Sequence, residues 1–377
     1  MRSRGWGCRG PGSDMSRYLS VRDIDWTLLV IVLAICSIGV LQIYSATRGT
    51  VWQDAWWKQI LYIAGGLLLM WICLSIDYHS MMNYVPWMYV LSVAALLATF
   101  LIGKQVFGSR RWIPLFAGNR LQVSEFVKLV IVLLVARFLT ELKVDQLEAR
   151  DMLKISGMVA IPWFLVFKQP DFGTSMTYVP ILIVGLFLAG MRWKYMATIL
   201  IVCMLVLPVG FRFLKDYQKA RLVNFMNPDN DPRGTGYQMI QSKIAVGAGG
   251  MWGKGVTKGS QTQLRFLPVP HTDFIFSAFA EEHGFVGVVV VLALYFVLIM
   301  QTVQNAQTAP DRAGMYICMG VAALWLFHVL VNVGMVVGRM PITGIPLPLM
   351  SAGGSSIWSN FMLLGLVHNV RLRRFVN

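Results

Sequence analysis

Charge is scarce in this sequence. Only 14% of its 377 residues are Asp, Glu, Lys or Arg, while 56% are hydrophobic and the mean hydropathy is +0.60. Soluble domains carry about 25% charged residues, so the balance excludes an ordinary soluble enzyme and points to an integral membrane protein. Paired cysteines are missing as well. Cys8, Cys36, Cys73, Cys203 and Cys318 stand apart with no CxxC among them, which argues against disulfides and zinc and for core-type packing. The five histidines are equally scattered, and no HExxH or similar metal cluster exists. The glycine-rich stretch IAVGAGGMWGKGVTKGSQ matches neither the Walker pattern nor GxGxxG in a strand-helix-strand unit. No nucleotide or other organic cofactor is expected, and no nucleic-acid partner. The first 25 residues hold five arginines but no apolar core, so they lack the form of a cleaved signal peptide and read as a cytoplasmic tail. Met15 offers a second start, which makes residues 1–14 expected to be dispensable.

What the sequence has in abundance is long apolar runs. A hydrocarbon core of about 30 Å needs about 20 residues of helix, and spans of that order are read at about 27–46, 59–76, 84–102, 123–140, 155–168, 174–190, 194–212, 273–302, 313–338 and 351–370. Unpaired backbone groups are intolerable in lipid, and the alternation of a porin-type barrel is absent. The fold class is therefore all-α: a polytopic membrane domain over 27–370 with about ten transmembrane helices, between tails at 1–26 and 371–377. Span five is short and proline-interrupted (VAIPWFLVFKQP), which predicts a broken helix.

Orientation follows from basic residues. With both termini inside, the tails and inner loops hold fifteen Lys and Arg and the short outer loops eight, which by the positive-inside rule places both termini in the cytoplasm. The outer segment 212–272 is long enough to cross regardless of charge, and carries nine further basic residues against Asp216, Asp229 and Asp231. Two readings fit this cationic surface: contact with anionic lipid headgroups, or an anionic substrate such as a lipid-linked diphosphate. Its glycines predict tight turns that fold the segment back onto the membrane.

Four polar clusters fall on the outer side. In GSRRWIPLFAGNRLQVSEFVKL, Arg110 and Arg111 precede an amphipathic stretch, Ser124 is placed to cap span four, and Glu125 and Lys128 share a helical face. They are either a structural ion pair or functional intramembrane charges. In KQPDFGTS, Asp171 is placed as an N-cap, a site group, or both. In RFLPVPHTDFIFSAFAEEHGF, Pro268 and Pro270 stop any earlier helix and Thr272 is placed to cap the next. That puts Asp273 in a first turn, where the helix dipole favours the ionised carboxylate. Glu281 follows about 80° around and roughly 12 Å deeper, beside Glu282. Charges so deep require a partner; Lys128 is the expected one, and the roles of Glu281 and Glu282 stay open. The fourth cluster, GRMPITGIPLPLMSAGGSS, is an irregular stretch expected to line a protein cavity or form an external turn.

These residues resemble a known family. The region from DYQKARLVNF to AEEHGFVG resembles the signature of the SEDS proteins (shape, elongation, division and sporulation), and its GKG, GSQTQ, FLP and HTDFIF elements are closer to the rod-shape RodA branch than to the division FtsW branch. SRRWI with QVSEFVK, QPDFGTS and PITGIPLPLMSAGGSS fall in family order. The resemblance implies a ten-span peptidoglycan glycosyltransferase acting on lipid II at the outer face of the bacterial cytoplasmic membrane. Asp273 matches the family's essential aspartate and becomes the candidate general base. Glu125 and Lys128 match its functional pair, with Arg111 and Lys128 as candidate diphosphate contacts and Arg110 as a candidate substrate-binding residue. Asp171, Gln241, Lys243 and Ser351 are further candidate substrate-binding residues. A divalent cation, magnesium or manganese, is implied without a ligand set. The implied partners are lipid II, a class B penicillin-binding transpeptidase, other elongation-complex proteins and membrane lipids. Two positions depart from the family pattern: Val123 where QPSE is usual, and Ala352 where SYGGS has tyrosine. A lipid II flippase and a non-catalytic scaffold for the transpeptidase are the competing functions.

Overall fold

The computed structural model describes residues 24–106, 109–114, 120–142, 147–198, 201, 204–205, 212, 216–227, 231 and 234–374. The tail before residue 24, Cys8 and Cys203, and most of the expected span 194–212 lie outside the described residues. The expected helices are present at the other nine positions. They are α1 (Trp26–Thr47), α2 (Ala55–Ser75), α3 (Tyr78–Ile102), α4 (Val123–Glu141), α5 (Ala149–Lys168), α6 (Phe172–Met176) with α7 (Tyr178–Leu188), and, beyond residue 272, three long helices. Between α7 and these lie α8 (Asp216–Met226), α9 (Thr235–Ala248) and α10 (Ser260–Gln263). The last three are α11 (Ile275–Gln307), α12 (Arg312–Val336) and α13 (Gly354–Arg373). Between α3 and α4 the chain forms a small antiparallel sheet that the sequence reading did not anticipate: β1 (Lys104–Val106), β2 (Ser109–Pro114) and β3 (Arg120–Leu121), in that order.

Short acidic side chains start several helices. Asp25, Asp77 and Asp311 accept from the amides of Leu28, His79 and Gly314 at 3.2, 3.0 and 2.7 Å, satisfying donors that have no intrahelical partner. Five helices, α1, α2, α3, α11 and α12, are each long and apolar enough to cross a membrane. α4 and α13 are more polar because they run through the middle of the protein. α4 is buried along Val127–Ala136, and α13 along nearly its whole length. Glycines bring α13 close to α2: a β carbon on Gly66 would lie 2.5 Å from the Phe361 ring, and one on Gly365 2.8 Å from the Met70 carbonyl oxygen. Small residues at such crossings are the usual means of close packing in membranes.

Four local expectations change. α5 is one helix through Pro162 rather than a broken one; the chain breaks after it, at Gln169–Asp171. α4 begins after Gln122 without a side-chain cap, and Ser124 turns its hydroxyl toward Asp171 instead. Thr272 caps nothing, because a turn continues through Phe274 and α11 begins at Ile275, so Asp273 sits just before the helix. The segment 212–272 is largely helical where described, and does fold back onto the bundle. α11 itself is interrupted at Gly284, with φ 66° and ψ −166°. The 285–307 part beyond the break is about 35 Å long at 1.5 Å per residue, enough to span alone. Glu281 and Glu282 belong to the part before it.

Candidate active site

Asp273 stands where three irregular segments meet. Its own turn is held by backbone bonds: Ser351 Oγ donates to the Thr272 carbonyl at 2.8 Å, the Ala352 amide to the His271 carbonyl at 2.9 Å, and Asn332 Nδ2 to the Asp273 carbonyl at 3.0 Å. Asn332 also bonds the Ile345 carbonyl at 2.8 Å, so one buried amide from α12 ties the 264–274 turn to the 341–353 strap. Within that strap the Leu347 amide donates to Ser351 Oγ at 2.9 Å. Gly344, at φ 72°, leaves Asp273 Oδ2 only 3.4 Å from where its β carbon would stand. The half-buried Asp273 carboxylate itself makes no hydrogen bond or ion pair among the described residues. Burial pushes its pKa above the ordinary carboxylate value, Arg111 and Arg221 pull it down, and Asp171 adds to the rise. Beside it, burial lowers the pKa of His271, which is therefore neutral at pH 7.

Asp171 is opposite in character. It is 2% exposed and saturated: Arg111 donates at 2.8 Å, Gln122 Nε2 at 2.7 Å, Thr174 Oγ1 at 3.0 Å and the Thr174 amide at 3.5 Å. It is thus both the N-cap of α6 and the anchor that fixes Arg111. α6 reaches the strap through Gly173, where a β carbon would lie 2.6 Å from the Thr343 carbonyl oxygen. Arg221 of α8 donates to that same carbonyl at 3.4 Å.

Glu125 and Lys128 form a closed pair at 2.8 Å, 3% and 2% exposed. Lys128 Nζ is also 3.3 Å from His328 Nε2, and Ser359 Oγ donates to the second Glu125 oxygen at 3.3 Å. The His328 Nδ1 edge meets the Pro346 carbonyl at 3.0 Å, so the pair underlies the strap that carries Ser351. Lys128 does not reach Glu281, the partner expected for it, because Glu125 lies one turn away on its own helix. Glu281 pairs with Lys254 at 3.0 Å. Lys243 on α9 is exposed and has no ion-pair partner among the described residues; its chain passes over Gly338, while Gln241 is half-buried. The Arg110 side chain lies outside the described residues.

Three buried polar atoms near Asp273 have no hydrogen-bond partner among the described residues: Arg111 Nε, Asn332 Oδ1 and Thr343 Oγ1. Proteins satisfy nearly all such atoms, and leaving one unpaired costs about 1–3 kcal/mol. A partnerless carboxylate, two guanidinium groups and three unsatisfied polar atoms are suited to receive a polar, anionic molecule and take a proton from it.

Residues 25–374 match the FtsW, RodA and SpoVE family of cell cycle proteins. The chain belongs to this family. It is 33% identical to the peptidoglycan glycosyltransferase RodA of Treponema pallidum, covering 95% of this chain and 100% of that one. It is 36% identical to the peptidoglycan glycosyltransferase MrdB of Escherichia coli K12, covering 93% and 94%. Among solved structures, a chain from a peptidoglycan synthase complex that coordinates polymerization and crosslinking superposes with a TM-score of 0.82 at 28% identity, over 94% of this chain and 99% of that one. The rod shape determining protein RodA of Thermus thermophilus gives 0.70 at 25%, over 93% and 98%. The chain is thus an all-α, multi-pass membrane protein of the FtsW, RodA and SpoVE family.

Asn332, Thr343, Arg221 and His328 were not singled out from the sequence as site residues. For two of them a signal existed: His328 and Asn332 are four apart in an apolar span, hence on one face, and isolated polar side chains in such a span mark an inward-facing polar site. Arg221 was one of nine basic residues in its segment, and nothing distinguished it.

Proposed function

We propose that this family member is a peptidoglycan glycosyltransferase that polymerises lipid II into β-1,4 glycan strands during cell elongation, with Asp273 as general base. The observation that carries the reading is the Asp273 carboxylate, partnerless among the described residues in a rigidly held turn, with a raised pKa and two arginines acting on it. The carboxylate accepts the proton of the acceptor's sugar hydroxyl as its oxygen bonds to the donor's anomeric carbon. The bond from that carbon to the diphosphate oxygen breaks, its electron pair leaves with undecaprenyl diphosphate, and the α-linked donor is inverted to a β link. Arg111, oriented by Asp171, and Arg221 are placed to stabilise charge on the departing diphosphate. Glu125 and Lys128 support the strap beneath; Gln241 and Lys243 stay candidate substrate contacts, whereas Ser351, expected as one, is buried and acts through its hold on the turn. The site faces outward from the cytoplasmic membrane with both termini inside, on the strength of the basic-residue asymmetry. The similarity to a chain of a synthase complex supports a crosslinking partner, proposed as a class B penicillin-binding transpeptidase.

For the divalent cation, the described residues include no group of three or more His, Cys, Asp or Glu arranged to hold a metal ion. They do not form a protein cage for an ion, and no step is assigned to one; an ion would enter with the substrate phosphates, as magnesium commonly does. The deciding experiment is polymerisation of lipid II by the purified chain with its transpeptidase. A positioned base contributes about 10²–10⁴-fold, so Asp273→Asn is expected to lose at least that factor while retaining the complex. Wild-type rates in Asp273→Asn, or lipid II translocation without polymer, overturn the reading.

A further inference from the structure

The carboxylates Glu281 and Glu282 and the glycine-rich stretch before them take no part in the mechanism above, yet they meet each other closely. The interruption of α11 at Gly284 frees backbone groups on both sides, and residues 250–255 bind four of them. The Lys254 and Gly255 amides donate to the Glu281 and Glu282 carbonyls at 3.0 and 2.9 Å, and the Phe285 and Val286 amides donate to the Gly250 and Met251 carbonyls at 2.9 and 3.1 Å. Glycine is required for this approach. A β carbon on Gly249 would lie 2.0 Å from the Ala280 carbonyl oxygen, and one on Gly253 2.1 Å from that of Glu282.

The Glu281 side chain, fully buried, is the acceptor at the centre. Oε1 receives the Gln261 amide at 2.8 Å, Lys254 Nζ at 3.0 Å and Ser260 Oγ at 3.3 Å; Oε2 receives the Thr262 amide at 3.1 Å and its hydroxyl at 3.0 Å. It therefore caps α10 from another element, filling the role a helix's own N-cap usually plays. Gln261 in turn accepts the amides of Phe266 and Leu267 on its carbonyl at 3.0 and 3.1 Å. The chain leaves the clasp at Gln261, runs through the turn bearing Asp273, and returns to the clasp along the first turns of α11. Residues 261–281 are thus a closed excursion pinned at its base by one carboxylate. Glu282 fastens the same base to α1 through Ser45 and Gln42, and Ser45 Oγ accepts the Thr257 amide at 3.0 Å.

We propose that Glu281, with Lys254 as its counter-charge, is a positioning residue for the glycosyl transfer: it touches no substrate and sets the place of Asp273 by closing the 261–281 excursion. The inference rests on Asp273 being the base. It accounts for a catalytic carboxylate that is fixed although its own side chain makes no hydrogen bond or ion pair among the described residues. A displacement of about 1 Å at a reacting group can cost about 10²-fold in rate.

The test uses full-length protein with its transpeptidase partner, on lipid II. Glu281→Gln keeps the shape but removes the charge and one of two acceptor oxygens; kcat is expected to fall about 10- to 100-fold with KM within about twofold. Hydrogen exchange at the amides of residues 261–267 should accelerate in the same variant. Thr262→Val, which deletes one bond and leaves both charges, should give a smaller loss of the same kind and guards against misfolding of the first. Exchanging the charges, Glu281→Lys with Lys254→Glu, should fail to rescue, because backbone amides and not only the lysine need the carboxylate. Wild-type kcat in Glu281→Gln, a change confined to KM, or rescue by the exchange overturns the proposal. If Asp273→Asn stays active the assignment of the base fails instead, and accelerated exchange at 261–267 still reports whether the clasp exists.

Discussion

Breaking the Glu125–Lys128 pair should damage stability and activity by separable amounts. The two groups are 2.8 Å apart and almost wholly buried, with His328 and Ser359 as their further neighbours. Removing one member of such a pair leaves an uncompensated buried charge, at about 3–5 kcal/mol, whereas replacing both with side chains of similar volume is often neutral or stabilising. Glu125→Gln or Lys128→Met alone should therefore cost about 3–5 kcal/mol, and the double variant about 1 kcal/mol or less. With an unfolding entropy of about 2.1 cal/mol/K per residue, the 377-residue chain carries about 0.8 kcal/mol/K, so each single variant should melt about 4–6 °C lower. The assay is thermal unfolding of purified single and double variants in one detergent, paired with polymerisation rates on lipid II. In the double variant the melting temperature should return while the rate stays depressed, because the histidine that braces the Pro346 carbonyl loses its lysine neighbour. Equal destabilisation of single and double variants refutes the charge argument. Full activity in the double variant refutes any functional part for the pair.

The pH profile gives a second check. A base acts only when ionised, and burial holds the Asp273 pKa above its ordinary value while Arg111 and Arg221 pull it down. The rate should fall as pH drops through that raised value, and Arg221→Gln should move the acid limb to higher pH; a limb that stays or moves lower contradicts the electrostatics. Gly253→Ala puts a β carbon 2.1 Å from the Glu282 carbonyl oxygen at φ 78° and should cost at least about 1–3 kcal/mol, read as a lower melting temperature. Chelation of divalent cations should abolish polymerisation, restored by magnesium or manganese, without shifting the melting temperature of the substrate-free protein; a large shift would indicate an ion held by the chain itself.

Hydropathy located nine of the ten expected spans because about 20 apolar residues in lipid admit one conformation. Where the sequence reading failed, the determining contacts were distant. Ser124 has the right chemistry for a cap, yet Asp171, 47 positions away, takes its hydroxyl at 3.4 Å. Lys128 was a reasonable partner for Glu281 by type, but Lys254 reaches it only because the chain between them turns back through the 250–263 stretch. The glycines of that stretch announced close packing without saying against what. Pro162 marked a break in sequence that the intact helix α5 absorbs, as neighbouring protein allows in membrane helices. Asp273 was legible as an acid at the rim of a span. Its special state was not, since lacking a partner is a property of everything around it.

That last property is what separates the carboxylates at this end of the bundle. Asp171, Glu125, Glu281 and Glu282 are all buried, and each has its own donors. A satisfied buried carboxylate is rigid and chemically idle, because its lone pairs are already engaged by donors. Asp273 has lone pairs to offer only because its position is fixed through its backbone, by Asn332 and Ser351, and through the base of its loop, by Glu281. Arg111 and Asn332 illustrate the same division, each with one polar atom tied to protein and another left unsatisfied. The saturated groups supply the preorganisation that lets a few unsatisfied ones act without reorganising when charge develops. The expectation that follows is directional: variants of the saturated acids should lower kcat through loss of position, and only Asp273→Asn should remove the proton acceptor while leaving the neighbouring hydrogen bonds in place.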